Sequence, residues 1–228
     1  MAATATASAT ATASATATAS ARRMFEFDLE ICGRGELAGA DEVGRGCLAG
    51  PIVAAAVVFD YGSTDVASLA TLLKGLGDSK KLTAAARERL FPLIIRHAAR
   101  FSLVSFTNRT IDENGLHVTN LRALARSLQS LSPCPATALV DGRQQLKECP
   151  LPHLAIIKGD SKSAGIAAAS IVAKVFRDRL MGAMHERYPQ YGFNGNAGYG
   201  SLAHRQAIVR HGFTPIHRLS FNVNLPGS

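Results

Sequence analysis

The chain has 228 residues, of which 47% are hydrophobic and 18% charged, a size and composition that suit one globular domain with a substantial core. No apolar stretch approaches the roughly 20 residues that a membrane-spanning helix needs. The four cysteines form no CxxC pair and have no zinc-ligand spacing, which argues against a disulfide scaffold and favours reduced thiols in a cytoplasmic protein. The net charge of +8 favours a polyanionic partner such as nucleic acid, although charge alone is weak evidence.

Residues 1–24 are predicted to form a disordered tail. Residues 2–21 contain only Ala, Thr and Ser, a composition that buries too little apolar surface to offset the entropy of ordering. The tail lacks the apolar core of a secretory signal. It is free of acids, rich in hydroxyls and followed by Arg22 and Arg23, so an organelle transit peptide is a minor alternative to a cytoplasmic location.

From Phe25 onward, short apolar runs alternate with amphipathic helical patterns, which predicts an α/β or mixed α+β domain. The predicted sheet has five strands flanked by helices. We assign residues 25–186 to the main domain and 187–228 to a small C-terminal helical extension. Strands are predicted at 37–43, 52–59, 101–106, 136–140 and 154–157, and helices at 83–97, 116–131, 163–184 and 201–210.

Two adjacent carboxylates, Asp41 and Glu42, lie at the end of the first predicted strand, directly before the Gly44-Arg45-Gly46 turn. Carboxylate oxygens are hard ligands for divalent cations, and a turn with backbone amides and a planar guanidinium suits a phosphodiester. Successive strand residues point to opposite faces, so both acids reach one metal only if the strand ends, twists or bulges there. The alternative is a solvated strand end followed by an ordinary turn.

Two further acids follow apolar strands. Asp141 ends the run TALV and precedes Gly142, and Asp160 follows AIIKG. Ligands of open α/β sheets bind at strand ends, so these acids and Asp41 are expected to converge on a site for two magnesium-type ions. Taken singly, each aspartate is equally compatible with a turn, and Asp160 with a helix cap.

Several basic and aromatic residues are candidates for substrate contacts. Lys80 and Lys81 lie in a polar turn before a helix, and Lys158 flanks Asp160; each suits either a phosphate or a solvated surface. Tyr199 lies in a Gly-rich loop near arginines, where an aromatic ring can stack on a sugar or base or simply fill a gap.

The Gly44-Arg45-Gly46 turn belongs to a short sequence repeat whose other copy lies just before it. GRGELAG at 33–39 and GRGCLAG at 44–50 are identical at six of seven positions. A dinucleotide loop needs Gly-x-Gly-x-x-Gly between a strand and a helix. Both copies have the wrong spacing, and the second opens a strand, so we reject that interpretation. Only the second copy has acids beside it, and the first is interpreted as a turn.

Taken in chain order, six segments closely resemble the type 2 ribonuclease H (ribonuclease HII) family. The resemblance runs from Phe27 to Val223 and implies an RNase H-like fold. It implies that Gly44, Arg45 and Gly46 read a ribonucleotide 2′-hydroxyl and that Tyr199 checks the sugar on its 3′ side. By the same resemblance, Asp41, Glu42, Asp141 and Asp160 are the catalytic acids, and the first three ligate metal. The segments are ADEVGRGCLAGPIVAAAVV, GDSKKL, ALVDG, KGDSKSAGIAAASIVAKVFRDR, YGFNGNAGYGSLAH and PIHRLSF. Cys47 stands where the family varies, and the upstream repeat and the tail are not family features.

The expected function is metal-dependent endonucleolytic cleavage of RNA in RNA–DNA hybrids. We expect two Mg²⁺ or Mn²⁺ ions to act in this cleavage, and the resemblance implies that it includes the 5′ side of single ribonucleotides in duplex DNA. The expected role is ribonucleotide excision and RNA primer removal, and the expected protein is a monomer with no membrane partner. Two alternatives stay open. One is another two-metal nuclease of this fold, such as a junction resolvase or a type 1 ribonuclease H. The other is a non-catalytic hybrid-binding protein, against which the presence of all four acids argues.

Overall fold

One mixed sheet of five strands forms the centre of the molecule. The computed structural model describes residues 2–224, with side chains from residue 14 onward. The strands are β1 (Glu36–Val43), β2 (Ile52–Asp60), β3 (Arg100–Phe106), β4 (Thr137–Asp141) and β5 (His153–Ile156). Their order across the sheet is β3-β2-β1-β4-β5. The β1–β2 and β2–β3 pairs are antiparallel, and β1–β4 and β4–β5 are parallel, which confirms the predicted mixed sheet.

Three of the four predicted helices begin at a side-chain cap. Thr83, Ser163 and Ser201 each accept a hydrogen bond from the N–H three residues later, at 3.2 Å, and so satisfy a donor that the first turn leaves free. The structure confirms the four predicted helices and adds one long N-terminal helix and three short ones. The helices are α1 (Ala2–Cys32), α2 (Val66–Leu72), α3 (Ala84–His97), α4 (Asn108–Asn114), α5 (Leu116–Gln129), α6 (Ala164–Arg187), α7 (Phe193–Asn196) and α8 (Leu202–His211).

The N-terminal segment differs from the prediction, because residues predicted to be a disordered tail lie in α1. Alanine has the highest helix propensity of any residue, and it alternates here with hydroxyl residues that do not break a helix. The end of α1 is also held by packing. Ala21, Met24 and Phe25 are buried, and the ring of Phe25 meets Phe59 at 5.2 Å. The Ala/Thr/Ser composition of residues 2–21 gave no sign of this anchored end. The division into domains at residues 24 and 186 stays a prediction.

Helix α6 lies close against β1, because glycines face each other where the two elements meet. A Cβ atom added to Gly39 would lie 2.0 Å from the carbonyl carbon of Gly165, so the two backbones meet without side chains between them. Asp28 strengthens this junction by accepting hydrogen bonds from Gly165 N and from the hydroxyl of Tyr61, both at 2.8 Å. This close approach fixes the position of α6 over the end of β1 where the candidate acids lie.

The two faces of the sheet are covered differently. Helices α1, α2, α3 and α6 supply the core on one face, and α5 packs on the other. A third cluster joins the C-terminal segment to the turn after β1, with Leu48 and Ala49 against Tyr191 and Phe193. None of the helices in the described part of the chain could span a bilayer.

Candidate active site

The register of the sheet places two of the candidate acids side by side. In the parallel pair β1–β4, Ala40 lies opposite Val140, so the next residues are Asp41 and Asp141 at the same edge. Pairing of β1 with β2 continues to Val43, without a bulge at the acids. What changes after Ala40 is that β1 has no paired neighbour on the β4 side. Space therefore opens there.

That space is a cleft of about 250 Å³. Most of the candidate residues line it: Asp41, Glu42 and Asp141 together with Gly44, Arg45, Gly46, Lys80 and Tyr199. Glu42 and Asp141 also line a neighbouring cleft between β4 and α5, beside Asn120 and Arg143. The fold thus gathers residues that are up to 158 positions apart in the sequence, from Asp41 to Tyr199.

Asp41 and Glu42 are unfavourable as charged groups, because they are buried and close to other acids. Burial raises the pKa of Asp41 well above its ordinary value, and the charges of Glu42 and Asp141 raise it further. Burial also raises the pKa of Glu42; the guanidinium of Arg45, 3.3 Å away, acts in the opposite direction. Buried carboxylates that repel one another favour either a proton or a cation between them. This is the charge environment of a cation site.

Asp160 lies next to these acids on the 3₁₀ turn Gly159–Ser161 that follows β5. Gly159 N donates a hydrogen bond of 2.7 Å to Asp141 Oδ1, which ties the turn to the end of β4. Burial and the charge of Asp141 raise the pKa of Asp160. Asp160 does not line the cleft itself. Its interaction with the acids of the cleft is electrostatic, through the charge of Asp141.

The three candidate lysines have different positions. Burial lowers the pKa of Lys80, but the charges of four nearby acids together outweigh burial and raise it overall; the acids are Asp41, Asp160, Asp78 and Asp141. Lys81 and Lys158 are exposed and do not line the cleft. Lys81 lies 3.7 Å from Asp78. Only Lys80 therefore faces the acids directly.

The donor chemistry of the cleft fits a hard divalent cation. Asp41, Glu42 and Asp141 supply carboxylate oxygens, the ligands that Mg²⁺ and Mn²⁺ prefer. In the described part of the chain, however, no three His, Cys, Asp or Glu side chains are already arranged as a complete ligand set. The raised pKa of Asp41 gives the reason that a cation would be favourable there, since it would relieve the repulsion from Glu42 and Asp141.

Three residues that the sequence did not single out also line the cleft. Ser170 and Lys174 lie one turn apart on α6, and Ser79 precedes Lys80. The hydroxyls of Ser79 and Ser170 are 2.6 Å apart, and the Ser170 hydroxyl lowers the pKa of Asp41 against the effect of burial. The sequence signal that could have found two of them is the spacing of Ser170 and Lys174, which are polar residues four positions apart in an otherwise Ala-rich helix. Lys174 lies 5.9 Å from the ring centroid of Tyr199.

The turn after β1 and the loop that carries Tyr199 are in direct contact. Cys47 and Tyr199 form an isolated antiparallel bridge, and Leu48 N donates to Gly198 O at 2.8 Å. Gly44 has φ +94°, a conformation that favours glycine. Tyr199 is 41% exposed, so its ring is accessible from the cleft. The turn and the tyrosine therefore form one continuous wall beside the acids.

Comparisons with known proteins agree with this architecture. The family model of ribonuclease HII matches residues 38–224. Ribonuclease HII of Mycobacterium bovis is 45% identical over 199 residues, 87% of this chain and 73% of the relative. The crystal structure of ribonuclease H2 from Pyrococcus horikoshii superposes with a TM-score of 0.70 at 29% identity, covering 82% of this chain and 94% of that one. Bst ribonuclease HIII in complex with Mn²⁺ shares the fold at 21% identity and a TM-score of 0.63, covering 86% and 70% of the two chains.

These matches place the chain among the type 2 ribonucleases H, which are hydrolases with endoribonuclease activity. The chain belongs to the ribonuclease HII family. The family resemblance, the RNase H-like fold and the enzyme class inferred from the sequence are thereby confirmed, and the non-catalytic alternative is not supported.

Proposed function

We propose that this ribonuclease cuts the RNA strand of RNA–DNA hybrids and also cuts duplex DNA on the 5′ side of a single embedded ribonucleotide. The observation that carries the proposal is that one cleft joins the acids Asp41 and Asp141 to the glycine turn at residues 44–46 and to Tyr199. Cleavage needs the acids, and recognition of one sugar needs the glycine turn and Tyr199. This activity suits ribonucleotide excision and primer removal.

Within this proposal, Asp41, Glu42 and Asp141 would hold the divalent cations, and Asp160 would support them through the turn that binds Asp141. Two Mg²⁺ or Mn²⁺ ions bound there would supply an activated water and offset the charge of the leaving 3′ oxygen. The Mn²⁺ bound by Bst ribonuclease HIII supports the choice of metal. The protein orients these acids: Gly159 N holds Asp141, and the Ser170 hydroxyl stabilises the charged form of Asp41. Lys80 faces the acids and would contact the phosphate beside them.

Recognition of the ribonucleotide falls to the opposite wall of the cleft. The 2′-hydroxyl is the group that distinguishes RNA from DNA at one position. Gly44 and Gly46 let the backbone approach the sugar without a side chain in the way, and Tyr199 stacks on the neighbouring sugar. Lys81 and Lys158, both exposed, would contact phosphates farther along the duplex. We propose a monomeric enzyme in the cytoplasm, in keeping with its bacterial relative.

A substrate panel tests the proposal. Three labelled duplexes of one sequence are incubated with Mg²⁺ or Mn²⁺: all DNA, DNA with one ribonucleotide, and an RNA–DNA hybrid. We expect cleavage of the last two, with the single-ribonucleotide duplex cut only on the 5′ side and leaving 3′-hydroxyl and 5′-phosphate ends. Cleavage of the hybrid alone would indicate type 1 specificity instead. Binding to the modified duplex without cleavage under either metal would contradict the catalytic assignment.

A further inference from the structure

Two arginines, Arg177 and Arg218, are the largest fully buried side chains in the described part of the molecule, each with 0% exposure. Neither forms an ion pair with a carboxylate within residues 14–224. A buried charge without a counter-ion is costly unless all of its donors are satisfied. Burial lowers the pKa of Arg218 to about 10, which still leaves the guanidinium charged at neutral pH. Two such groups in one small domain need an explanation.

Their partners are backbone carbonyls of one short segment, the turn at residues 44–51 that we call the sensing turn. Arg218 donates to Gly44 O at 2.6 Å, to Arg45 O at 2.8 Å and twice to Gly50 O, at 3.0 and 3.1 Å. Arg218 therefore binds the beginning and the end of the sensing turn at once.

Arg177 completes the attachment from the other side. It donates to Ala49 O at 3.0 Å and Pro51 O at 2.9 Å, and its third hydrogen bond, of 2.8 Å, goes to Ala197 O. Ala197 lies two residues before Tyr199, so this arginine joins the sensing turn to the loop of that tyrosine. A Cβ on Gly44 would lie 2.4 Å from Arg177 Nε, which shows how closely the side chain passes beneath the turn.

The direction of these hydrogen bonds determines what the turn presents to the cleft. In a planar trans peptide, the C=O and the following N–H point in opposite directions. Because the carbonyls of Gly44 and Arg45 point inward to Arg218, the N–H groups of Arg45 and Gly46 point outward. Neither N–H donates to a protein acceptor among residues 14–224, and both residues line the cleft. A positive charge at the carbonyl end also polarises the peptide and strengthens its N–H as a donor.

We propose that Arg218 and Arg177 are positioning residues for ribonucleotide recognition, which hold the sensing turn so that the Arg45 and Gly46 N–H groups face the substrate sugar. This inference rests on the proposed function, because it assigns the turn to recognition of the 2′-hydroxyl. The arginines do not touch the substrate. They act by fixing the direction of two peptide planes and the distance from the sensing turn to Tyr199.

The test measures sugar recognition separately from the amount of active enzyme. A duplex with one ribonucleotide is the substrate, and the all-DNA duplex of the same sequence is the competitive inhibitor, so one assay gives KM, kcat and the Ki for plain DNA. Arg218→Lys keeps the charge but loses the planar set of donors. We expect its KM to rise about tenfold, the loss of roughly one substrate hydrogen bond, with the Ki unchanged. The matched control is Arg100→Lys. Arg100 lies on the far strand β3, is half-buried and pairs with Glu36 of β1, so its replacement should change neither KM nor Ki.

A merely structural role gives a different result: kcat falls with the active fraction, while KM and Ki stay at their wild-type values, and this outcome overturns the inference. If Arg218→Lys does not fold, Phe221→Leu replaces it, since that ring lies 5.0 Å from the Arg218 guanidinium and forms none of its hydrogen bonds. We expect a smaller rise in KM with the same Ki, and an unchanged KM counts against the proposal.

If the wild type fails to cut the single-ribonucleotide duplex, the proposed function itself is wrong. If the wild type cuts and the variants keep its KM-to-Ki ratio, only this inference is wrong.

Discussion

The segments 33–39 and 44–50 share six of seven residues, GRGELAG and GRGCLAG, yet they adopt different structures. In the first copy, Gly33 ends α1 with φ +62° and donates to Leu29 O, and the chain then enters β1 at Glu36. In the second copy, the chain leaves β1 after Val43 and turns back toward β2. Nearly identical residues therefore lead into β1 in the first copy and out of β1 in the second.

The difference lies in what packs against each copy. The last glycine of the first copy, Gly39, lies in β1 against the backbone of Gly165. The last glycine of the second copy, Gly50, has φ +83° and its carbonyl accepts two hydrogen bonds from Arg218. The fully buried arginines of the described residues, Arg177 and Arg218, form no hydrogen bond to the first copy, where the half-buried Arg100 pairs with the side chain of Glu36. Local sequence therefore permits both conformations, and tertiary partners select between them.

The largest expected effect concerns Asp41, which lines the cleft beside the second copy. Asp41 stands three residues before the second Gly-Arg-Gly, and Glu30 stands three residues before the first. Asp41→Asn removes a proposed metal ligand and should lower kcat on a single-ribonucleotide duplex by roughly a thousandfold, because metal ions supply several kcal/mol of transition-state stabilisation. Glu30→Gln, at an exposed site on α1, should leave cleavage unchanged. Equal activity of wild type and Asp41→Asn would refute the metal-site assignment.

The acids also show how far the sequence alone could lead. Asp41, Asp141 and Asp160 each follow an apolar run, and this local pattern was sufficient to predict that they meet at one edge of a sheet. Ser170 and Lys174 could not be found in this way, since their side chains become relevant only once α6 lies over β1. Helix α6 reaches that position because Gly39 and Gly165 meet without side chains, a contact between residues 126 positions apart.

The same limit applies to the tail and the sensing turn. The Ala/Thr/Ser composition of residues 2–21 predicted disorder, but the anchor that favours helix lies beyond them, at Met24 and Phe25. Likewise, Arg177 and Arg218 appear in the sequence as ordinary members of a basic C-terminal segment. Their burial beneath residues 44–51 follows from long-range packing that has no local signature.

A stability measurement separates the two roles of glycine in the first copy. Gly39→Ala places a methyl group 2.0 Å from the Gly165 backbone, where neither strand nor helix can move freely. We expect a loss of about 3 kcal/mol or more in the free energy of unfolding by urea. Gly33→Ala meets no atom within 4 Å and is strained only by its φ of +62°, so it should cost about 1 kcal/mol. Equal losses would show that β1 and α6 are not held in close contact.

Acid should act in opposite directions on the surroundings of the two copies. Near the first, burial raises the pKa of Asp28 from 3.8 to about 6. Because the folded state takes up this proton more readily, wild type should gain stability relative to Asp28→Asn as the pH falls from 6 to 4, by about 2 kcal/mol. Near the second, burial lowers the pKa of His217, which bridges Ala49, from 6.5 to about 4.

For His217 the sign is reversed, since the unfolded state binds the proton first. Wild type should therefore lose stability relative to His217→Asn between pH 6.5 and 4, by a similar amount. Asparagine is chosen because its amide oxygen can replace Nδ1 as the acceptor of the 2.8 Å hydrogen bond from Thr214 N. Urea unfolding of the three proteins at several pH values measures both differences. Slopes of the same sign would contradict the opposed environments of the two copies.

The smallest expected effect concerns the arginine that both copies contain. Arg45 lines the cleft and lies 3.3 Å from Glu42, whereas Arg34 is exposed at the entry to β1. Arg45→Ala removes one exposed cation near the substrate phosphate but leaves the backbone of the sensing turn in place, so KM should rise about threefold to tenfold with little change in kcat. Arg34→Ala should change neither constant. Raising the salt concentration should reduce the difference between wild type and Arg45→Ala, because a contact between charges in solvent is screened. A large fall in kcat for Arg45→Ala would instead mean that its side chain, and not the peptide backbone of the turn, performs the essential recognition.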